Sequence, residues 1–256
     1  MKHKSWLNFT LLGLIVMISF SCNRRILDKS YNNQRFERLY SEGIGDAAKP
    51  QPWEISSNLT AINQNNSGLI RKEIDGETYI LVSSWKVDTT FYKNNQKSGT
   101  YNTGSFPIWV TLSPELQSKC STKKFGRKEG LNLRLRQLLG LPPNDEKKYF
   151  IEFWVKPQDL FRPCPDAEID DKSCGIGFPK EVAEDYKSWI NNLRIASYYN
   201  KEWNKNYPWT ELGYTYDWNP KTKNNIGLSE FVIGTNKDII VHRFYTTWEY
   251  CSESKE

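Results

Sequence analysis

The sequence predicts an α+β domain with a mostly antiparallel sheet and two or three helices, preceded by a signal peptide and a polar tether. Three observations indicate this class. The segments follow one another as strand, strand, helix, strand, helix, strand, strand, which is not the regular alternation of a parallel α/β fold. Ten Trp, 14 Tyr and 12 Phe supply large side chains for burial, although only 38% of the residues are apolar. The length of 256 residues suits one compact domain after removal of a targeting segment.

The first 21 residues have the pattern of a secretory signal. Lys2 and Lys4 precede an apolar run over residues 11–20, and no acidic residue occurs before position 22. The run is shorter than the ~20 residues that a transmembrane helix needs. We therefore predict a signal peptide over residues 1–21 and export of the chain that follows.

A cysteine, Cys22, comes directly after the apolar run and the small residues Ser19 and Ser21. This arrangement resembles the signal of bacterial lipoproteins, although such signals more often carry Leu where Ser19 stands. The resemblance implies that Cys22 holds a lipid anchor, through which the protein contacts a membrane. A simple cleaved signal is the alternative. No acidic cluster follows Cys22, which favours a periplasm-facing location.

Residues 22–67 are polar and rich in Asn, Gln and Ser. They predict a lipid-anchored tether and a poorly packed entry segment. The globular α+β domain is predicted over residues 68–256.

The first half of that domain contains two strands and a helix. Residues 78–87 and 106–112 are β-rich runs, and the polar, Gly-containing stretch between them suits a long hairpin connection. Four of the five leucines between positions 131 and 139 recur at helical spacing, and Gly140 with Pro142 and Pro143 ends that helix. These four are Leu131, Leu135, Leu138 and Leu139.

The second half begins with the strongest strand candidate, residues 149–155, in which large apolar residues occupy both faces. A helix is predicted after Pro179, because Val182 and the aromatic residues that follow recur at helical spacing. Residues 228–233 and 238–248 predict two paired strands joined by a hairpin-like GTNK turn.

Four cysteines remain after Cys22, namely Cys120, Cys164, Cys174 and Cys251. An even number in an exported chain predicts two disulfides, for which three pairings are open. The ten-residue step between Cys164 and Cys174 favours a bridge between them, which leaves Cys120 with Cys251. Zinc is a poor alternative, because no CxxC pair occurs and His242 is the only histidine after Cys22.

Three carboxylates lie among apolar neighbours in the sequence: Glu152, Asp217 and Glu230. Such surroundings raise a carboxyl pKa, as general acid catalysis requires, and two carboxyls facing each other suit glycoside hydrolysis. These residues are the candidate catalytic groups. The alternative is that each lies on a solvated strand face or accepts backbone hydrogen bonds.

The sequence YPWTELGYTYDW concentrates aromatic residues in a stretch punctuated by Pro and Gly. Its rings predict a platform for a sugar or another ligand with an apolar face. The alternative is that these rings close a small core. The candidate ligand-binding residues are Tyr207, Trp209, Tyr214, Tyr216 and Trp218.

The acidic residues Asp166, Glu168 and Asp170 lie between two of the cysteines and form a candidate irregular calcium site. An EF-hand is excluded, because the sixth position of that loop is Asp171 rather than Gly. A solvated acidic loop closed by a disulfide is the alternative.

Between residues 119 and 136, seven basic residues accompany one acidic residue, in a chain of net charge +5. This basic segment is a candidate contact for anionic lipid head groups. Nucleic acid is not expected as a partner of an exported protein. No phosphate-binding loop, GxSxG, HExxH or CxxCH motif occurs, and no cofactor is predicted. The basic residues are Lys119, Lys123, Lys124, Arg127, Lys128, Arg134 and Arg136.

Five phrases occur in one order, FPIWVTLSPELQSKC, LRQLLGLPPN, YFIEFWVKPQDLFRPCPDAEID, YPWTELGYTYDW and GLSEFVI. Together they resemble an uncharacterised family of bacterial proteins over roughly residues 105–251. That family has no established activity, so the resemblance implies a shared structural unit and no catalytic residue.

The sequence as a whole predicts a membrane-anchored bacterial lipoprotein that binds a glycan, another ligand or an envelope protein. The first alternative is a cell-envelope glycan hydrolase that uses a pair of the three carboxylates. A purely structural accessory lipoprotein is the second.

Overall fold

The computed structural model describes residues 32–121, 128–202 and 205–252. They form an α+β domain with a mostly antiparallel sheet, as predicted. Six α-helices occur in these ranges rather than two or three, because several connections contain short helices without a strong apolar period. The helices are α1 (residues 32–47), α2 (Thr90–Asn95), α3 (Ser113–Lys119), α4 (Lys128–Leu138), α5 (Glu184–Tyr198) and α6 (Thr247–Ser252). The strands are β1 (Arg71–Ile74), β2 (Glu77–Lys86), β3 (Thr100–Asn102), β4 (Ile108–Leu112), β5 (Tyr149–Val155), β6 (Leu160–Phe161), β7 (Tyr214–Tyr216), β8 (Ile226–Ser229), β9 (Phe231–Ile233) and β10 (Asp238–Thr246).

The main sheet has eight strands in the order β3, β10, β5, β2, β4, β9, β6, with β1 paired to the first half of β2. Each of these pairings is antiparallel. Strands β1 and β2 meet in a two-residue turn, where Asp75 and Gly76 have φ of 51° and 78°. Positive φ at both positions suits the twist of a hairpin, and an Asp-Gly pair tolerates it. Strands β7 and β8 form a separate two-stranded sheet.

The long connection between β2 and β4 joins two paired strands, as predicted. The predicted pairing of the last two strands is wrong. Strand β9 pairs with β4 and β6, whereas β10 pairs with β3 and β5. The GTNK segment closes no hairpin because its amides bond elsewhere: Gly234 donates to Asp159 O, and Asn236 donates to Gly104 O.

The two faces of the main sheet pack against different partners. On the first face, alternating residues such as Val82 and Phe153 build the larger hydrophobic core with Tyr92 of α2. On the second face, Trp85 and Phe150 stack with ring centroids 5.6 Å apart and pack with α3, α4 and α6. The helix α4 has the leucine face that its spacing predicted. The candidate site lies on the second face.

The globular domain begins earlier in the chain than the predicted boundary at residue 68. Tyr40 and Ala47, one helix face of α1, are buried against Trp218, and Leu59 and Ile62 are also buried. The globular domain therefore includes much of the segment that was predicted as a poorly packed entry, because a few well-spaced apolar residues suffice to dock it. The predicted signal peptide and lipid-carrying Cys22 lie outside the described residues.

Both predicted disulfides are formed. Cys164 joins Cys174 across a sequence separation of 10, and Cys120 joins Cys251 across a separation of 131. The longer bridge connects the end of α3 to α6, so it ties the middle of the chain to its last described helix.

Candidate functional site

A cavity of about 540 Å³ lies between the second face of the main sheet and the layer that covers it. Its floor comes from β2, β4 and β5, and its roof comes from the end of α5 and residues 207–216. Stacking of Trp189 on Trp109, with centroids 6.5 Å apart, places α5 over the sheet. A volume of this size matches the pockets that proteins use for small ligands.

Six aromatic residues line the cavity. Three come from the sheet and three from the segment before and within β7. Several of them are fixed by hydrogen bonds: Trp209 Nε1 donates to Pro163 O at 3.1 Å, and Tyr216 OH donates to Asp46 at 2.8 Å. The walls are therefore largely formed before any ligand arrives, which reduces the entropic cost of binding. The aromatic residues are Trp85, Trp109, Phe150, Tyr207, Trp209 and Tyr216.

Glu230 is the acidic residue of the cavity wall. It occupies the single position between β8 and β9, where its backbone N–H donates to Gly213 O. Its side chain is partly accessible, through the cavity, and its carboxyl group has no hydrogen-bond or ion-pair partner among the described residues. Burial among protein atoms raises the pKa of this carboxyl to about 8.

The lysines of the wall, in contrast, have partners. Lys147 pairs with Asp145, and Lys205 pairs with Glu202 at 2.8 Å. The ammonium of Lys86 lies 5.8 Å from the ring centroid of Tyr92, which belongs to the core of the opposite sheet face. Burial, followed by repulsion from Lys147, lowers the pKa of Lys86 to about 8.

Two hydroxyl groups add polar contacts to the apolar walls. Thr111 of β4 and Ser197 of α5 are buried residues of the lining, and their hydroxyls make no hydrogen bond with described residues. Neither oxygen is among the fully buried unpartnered atoms, so both remain accessible, and a ligand or water in the cavity can hydrogen-bond to them.

The structure does not bring the three predicted catalytic carboxylates together in the lining of this cavity. Only Glu230 lines it. Asp217 is buried and accepts two hydrogen bonds from the guanidinium of Arg134, so it is part of a structural ion pair. Glu152 is buried within β5, in register with Ser83 on one side and Arg243 on the other.

The predicted aromatic platform is not an exposed surface. Tyr214 and Trp218 are buried in two small cores and do not line the cavity. Trp209 and Tyr216 are also buried but line it, and Tyr207 at its rim is 43% exposed. The stretch therefore divides between core and cavity, and Tyr216 belongs to both, since it also packs with Tyr40 and Trp218.

The predicted calcium site is not supported. Asp166, Glu168 and Asp170 lie in the disulfide-closed loop, but no group of three possible ligands that could hold a metal ion occurs among the described residues. Repulsion from Asp166 is the main cause that raises the pKa of Glu168. Asp171 in the same loop instead accepts from the buried guanidinium of Arg162 at 2.6 Å.

The predicted basic surface is only partly described. Lys123, Lys124 and Arg127 lie outside the described residues, as does the side chain of Lys128. Lys119 is exposed on α3. The other two basic groups have structural partners, because Arg134 binds Asp217 and Arg136 donates to Pro143 O at 2.8 Å.

Sequence reasoning missed the sheet side of the cavity, namely Trp85, Trp109 and Thr111. Strand alternation carried the necessary signal: Trp109 points away from its neighbours Ile108 and Val110, which belong to the other core. Nothing local indicated that α5 would leave a space above that face.

Comparisons with protein-family models, with curated proteins and with solved structures find no protein that matches this chain. Within residues 32–121, 128–202 and 205–252, no helix is long and apolar enough to cross a membrane. The case for a function therefore depends on the cavity and on the sequence.

Proposed function

We propose that this protein is an exported, lipid-anchored protein of the bacterial envelope that binds a small, ring-bearing ligand in the cavity. The observation that carries the proposal is the cavity itself. Six aromatic residues line a space of about 540 Å³ in which Glu230 and two hydroxyls lack partners among the described residues. Apolar walls with a few convergent polar groups are typical of small-ligand sites.

The geometry favours binding over glycan hydrolysis. A hydrolase that uses two carboxyls places both beside the scissile bond, roughly 5–10 Å apart. Glu230 is the one candidate carboxyl in the cavity, and Arg134 holds Asp217 in an ion pair. One carboxyl beside aromatic rings suits recognition of a ligand better than that chemistry.

The binding half of the proposal is tested by titration with two ring-bearing probes, neopentylbenzene and benzyltrimethylammonium, followed by NMR. We expect at least one probe to bind the wild type with one-to-one stoichiometry. Ala196→Trp places a bulky ring on an exposed residue of the cavity lining, and we expect it to weaken binding by about tenfold or more.

Ser188→Trp is the matched control, because Ser188 is exposed on the same helix, about 12 Å along its axis from Ala196. It should leave binding unchanged. If neither probe binds, or if Ala196→Trp binds both as tightly as the wild type, the proposed site is wrong.

The anchoring half is tested with Cys22→Ser in the full chain, expressed in a bacterium fed labelled fatty acid. The sequence pattern at residues 1–22 supports lipid attachment at Cys22. We expect the wild type to carry label and to sediment with membranes, and the variant to lose both properties. A labelled variant would contradict the assignment.

A further inference from the structure

The ionisable side chains that line the cavity differ in whether they have interaction partners. Each lysine of the wall has its own partner, a carboxylate for Lys147 and Lys205 and a tyrosine ring for Lys86. The carboxyl of Glu230 has none among the described residues. The unmatched group of the cavity is therefore an acid, and a positive charge would complement its ionised form.

The rest of the wall also suits a cation. Aromatic faces carry partial negative charge and attract cations within about 6 Å of the ring centroid, especially where water is excluded. Trp109 of the floor and Trp209 and Tyr207 of the roof contribute aromatic residues to the lining. Clusters of aromatic rings are the usual surroundings of a bound quaternary or methylated ammonium group.

We propose that the ligand of the cavity is an organic cation, whose ammonium group pairs with the Glu230 carboxylate while its apolar substituents contact the aromatic walls. This inference depends on the proposed binding function and narrows the ligand to one chemical class. It assigns to Glu230 a role in selectivity rather than in catalysis.

The protonation state of Glu230 makes the affinity for a cation depend on pH. In the empty cavity the raised pKa keeps most of this carboxyl protonated at neutral pH. A cation binds the ionised form, so its binding releases a proton and its affinity increases with pH. A neutral ligand that accepts a hydrogen bond from the protonated carboxyl shows the opposite dependence, with affinity that falls above pH about 8.

Other titratable groups of the wall must be considered in that pH range. Lys86 has a pKa of about 8, but its ammonium faces the ring of Tyr92 rather than Glu230. Lys147 and Lys205 are paired, and burial raises the pKa values of Tyr207 and Tyr216 further above neutrality. Below pH about 8, Glu230 is therefore the group expected to dominate the change in affinity.

The test uses the same two probes, because they have the same shape and differ in one atom. Benzyltrimethylammonium carries a permanent positive charge that does not titrate, and neopentylbenzene has carbon in place of the nitrogen. At pH about 8.5, we expect Glu230→Gln to reduce the affinity for the cation by about tenfold or more. The affinity for the neutral probe should change by less than about threefold.

Two further variants make that result specific. Glu168→Gln makes the same chemical change in the acidic loop outside the cavity and should alter neither affinity. Glu230→Asp keeps the charge on a shorter side chain and should retain part of the cation affinity together with its pH dependence. For the wild type, cation affinity should rise about tenfold from pH 6 to pH 7, and Glu230→Gln should show no such rise.

The outcomes separate this inference from the proposed function. Binding of neopentylbenzene without binding of the cation would overturn the cation assignment and leave the cavity as a ligand site. The cation assignment would also be overturned if Glu230→Gln reduced the affinities for both probes equally, or if the affinity for the cation did not depend on pH. Binding of neither probe would contradict the proposed function itself.

Discussion

Replacement of Glu230 by Gln should remove a pH-dependent loss of stability that the wild type carries. The side chain keeps its size, so the substitution changes charge with little change in packing. In the folded protein the pKa of Glu230 is raised from 4.5 to about 8, because burial disfavours the ionised form. The unfolded chain ionises near the lower value and the folded chain near the higher one.

The sign and size of the effect follow from these two values. Below pH about 4.5 the carboxyl is protonated in both states. Between pH about 4.5 and 8 only the unfolded state loses the proton, so the wild type loses up to about 1.4 kcal/mol of unfolding free energy per pH unit relative to the variant. The upper limit is about 5 kcal/mol, and water that enters the cavity beside the carboxyl reduces it.

The assay is urea unfolding of both proteins at pH about 5, 6, 7, 8, 9 and 10, analysed as the difference between their unfolding free energies. Groups that both proteins share, such as His242 and Lys86, cancel in that difference. We expect the wild type to lose stability relative to Glu230→Gln as the pH rises, with no further change above pH about 8. Parallel pH profiles would refute the assignment of a raised pKa to Glu230.

Three further predictions concern the frame around the cavity, and each is checked by denaturant unfolding. Replacing Cys120 and Cys251 by Ala should lower the unfolding free energy by about 5 kcal/mol, and replacing Cys164 and Cys174 should lower it by about 2.7 kcal/mol. The first loss is larger because the first bridge spans 131 residues and the second spans 10. Equal losses of stability would contradict the loop-length argument. Gly213→Ala should cost about 3 kcal/mol, since Gly213 has φ +77° and a Cβ would lie 2.5 Å from Cδ of the buried Arg162. In the control Gly99→Ala, Gly99 has φ +83° and no atom lies within 4 Å of the new Cβ. A loss of unfolding free energy above about 2 kcal/mol in this control would show that the positive φ alone explains the losses at both glycines. Asp217→Asn should lower the unfolding free energy by about 3 kcal/mol, because it leaves Arg134 without its ion-pair partner. The control Glu184→Gln removes an exposed pair with Lys187 and should lower it by less than about 0.5 kcal/mol. If Asp217→Asn does not reduce stability, the structural role of Asp217 is wrong.

The local elements of this fold were predictable because their side-chain periods are strong. Residues 149–155 form β5, and Leu131, Leu135 and Leu138 form one face of α4, as their spacing requires. The pairing of β9 and β10 was not predictable in this way. Their GTNK connection has the composition of a hairpin turn, but β9 finds its partners β4 and β6 far away in the sequence.

The candidate site was predictable only in part, for a related reason. Glu230 and Trp209 were recognised from apolar or aromatic neighbours, and both line the cavity. The same signal selected Asp217 and Trp218, which are buried by contacts with Arg134 and with Tyr40 of α1. Burial of a polar or aromatic residue is visible in local sequence, whereas the side of the sheet on which a cavity opens depends on long-range packing.

The most direct test of a cation site in the cavity is a crystal structure of the protein with benzyltrimethylammonium, grown above pH about 8. We expect the ammonium group beside the Glu230 carboxylate, with at least one of the Trp109, Tyr207 and Trp209 ring centroids within about 6 Å. A probe bound elsewhere on the protein, with the cavity free of it, would contradict the account.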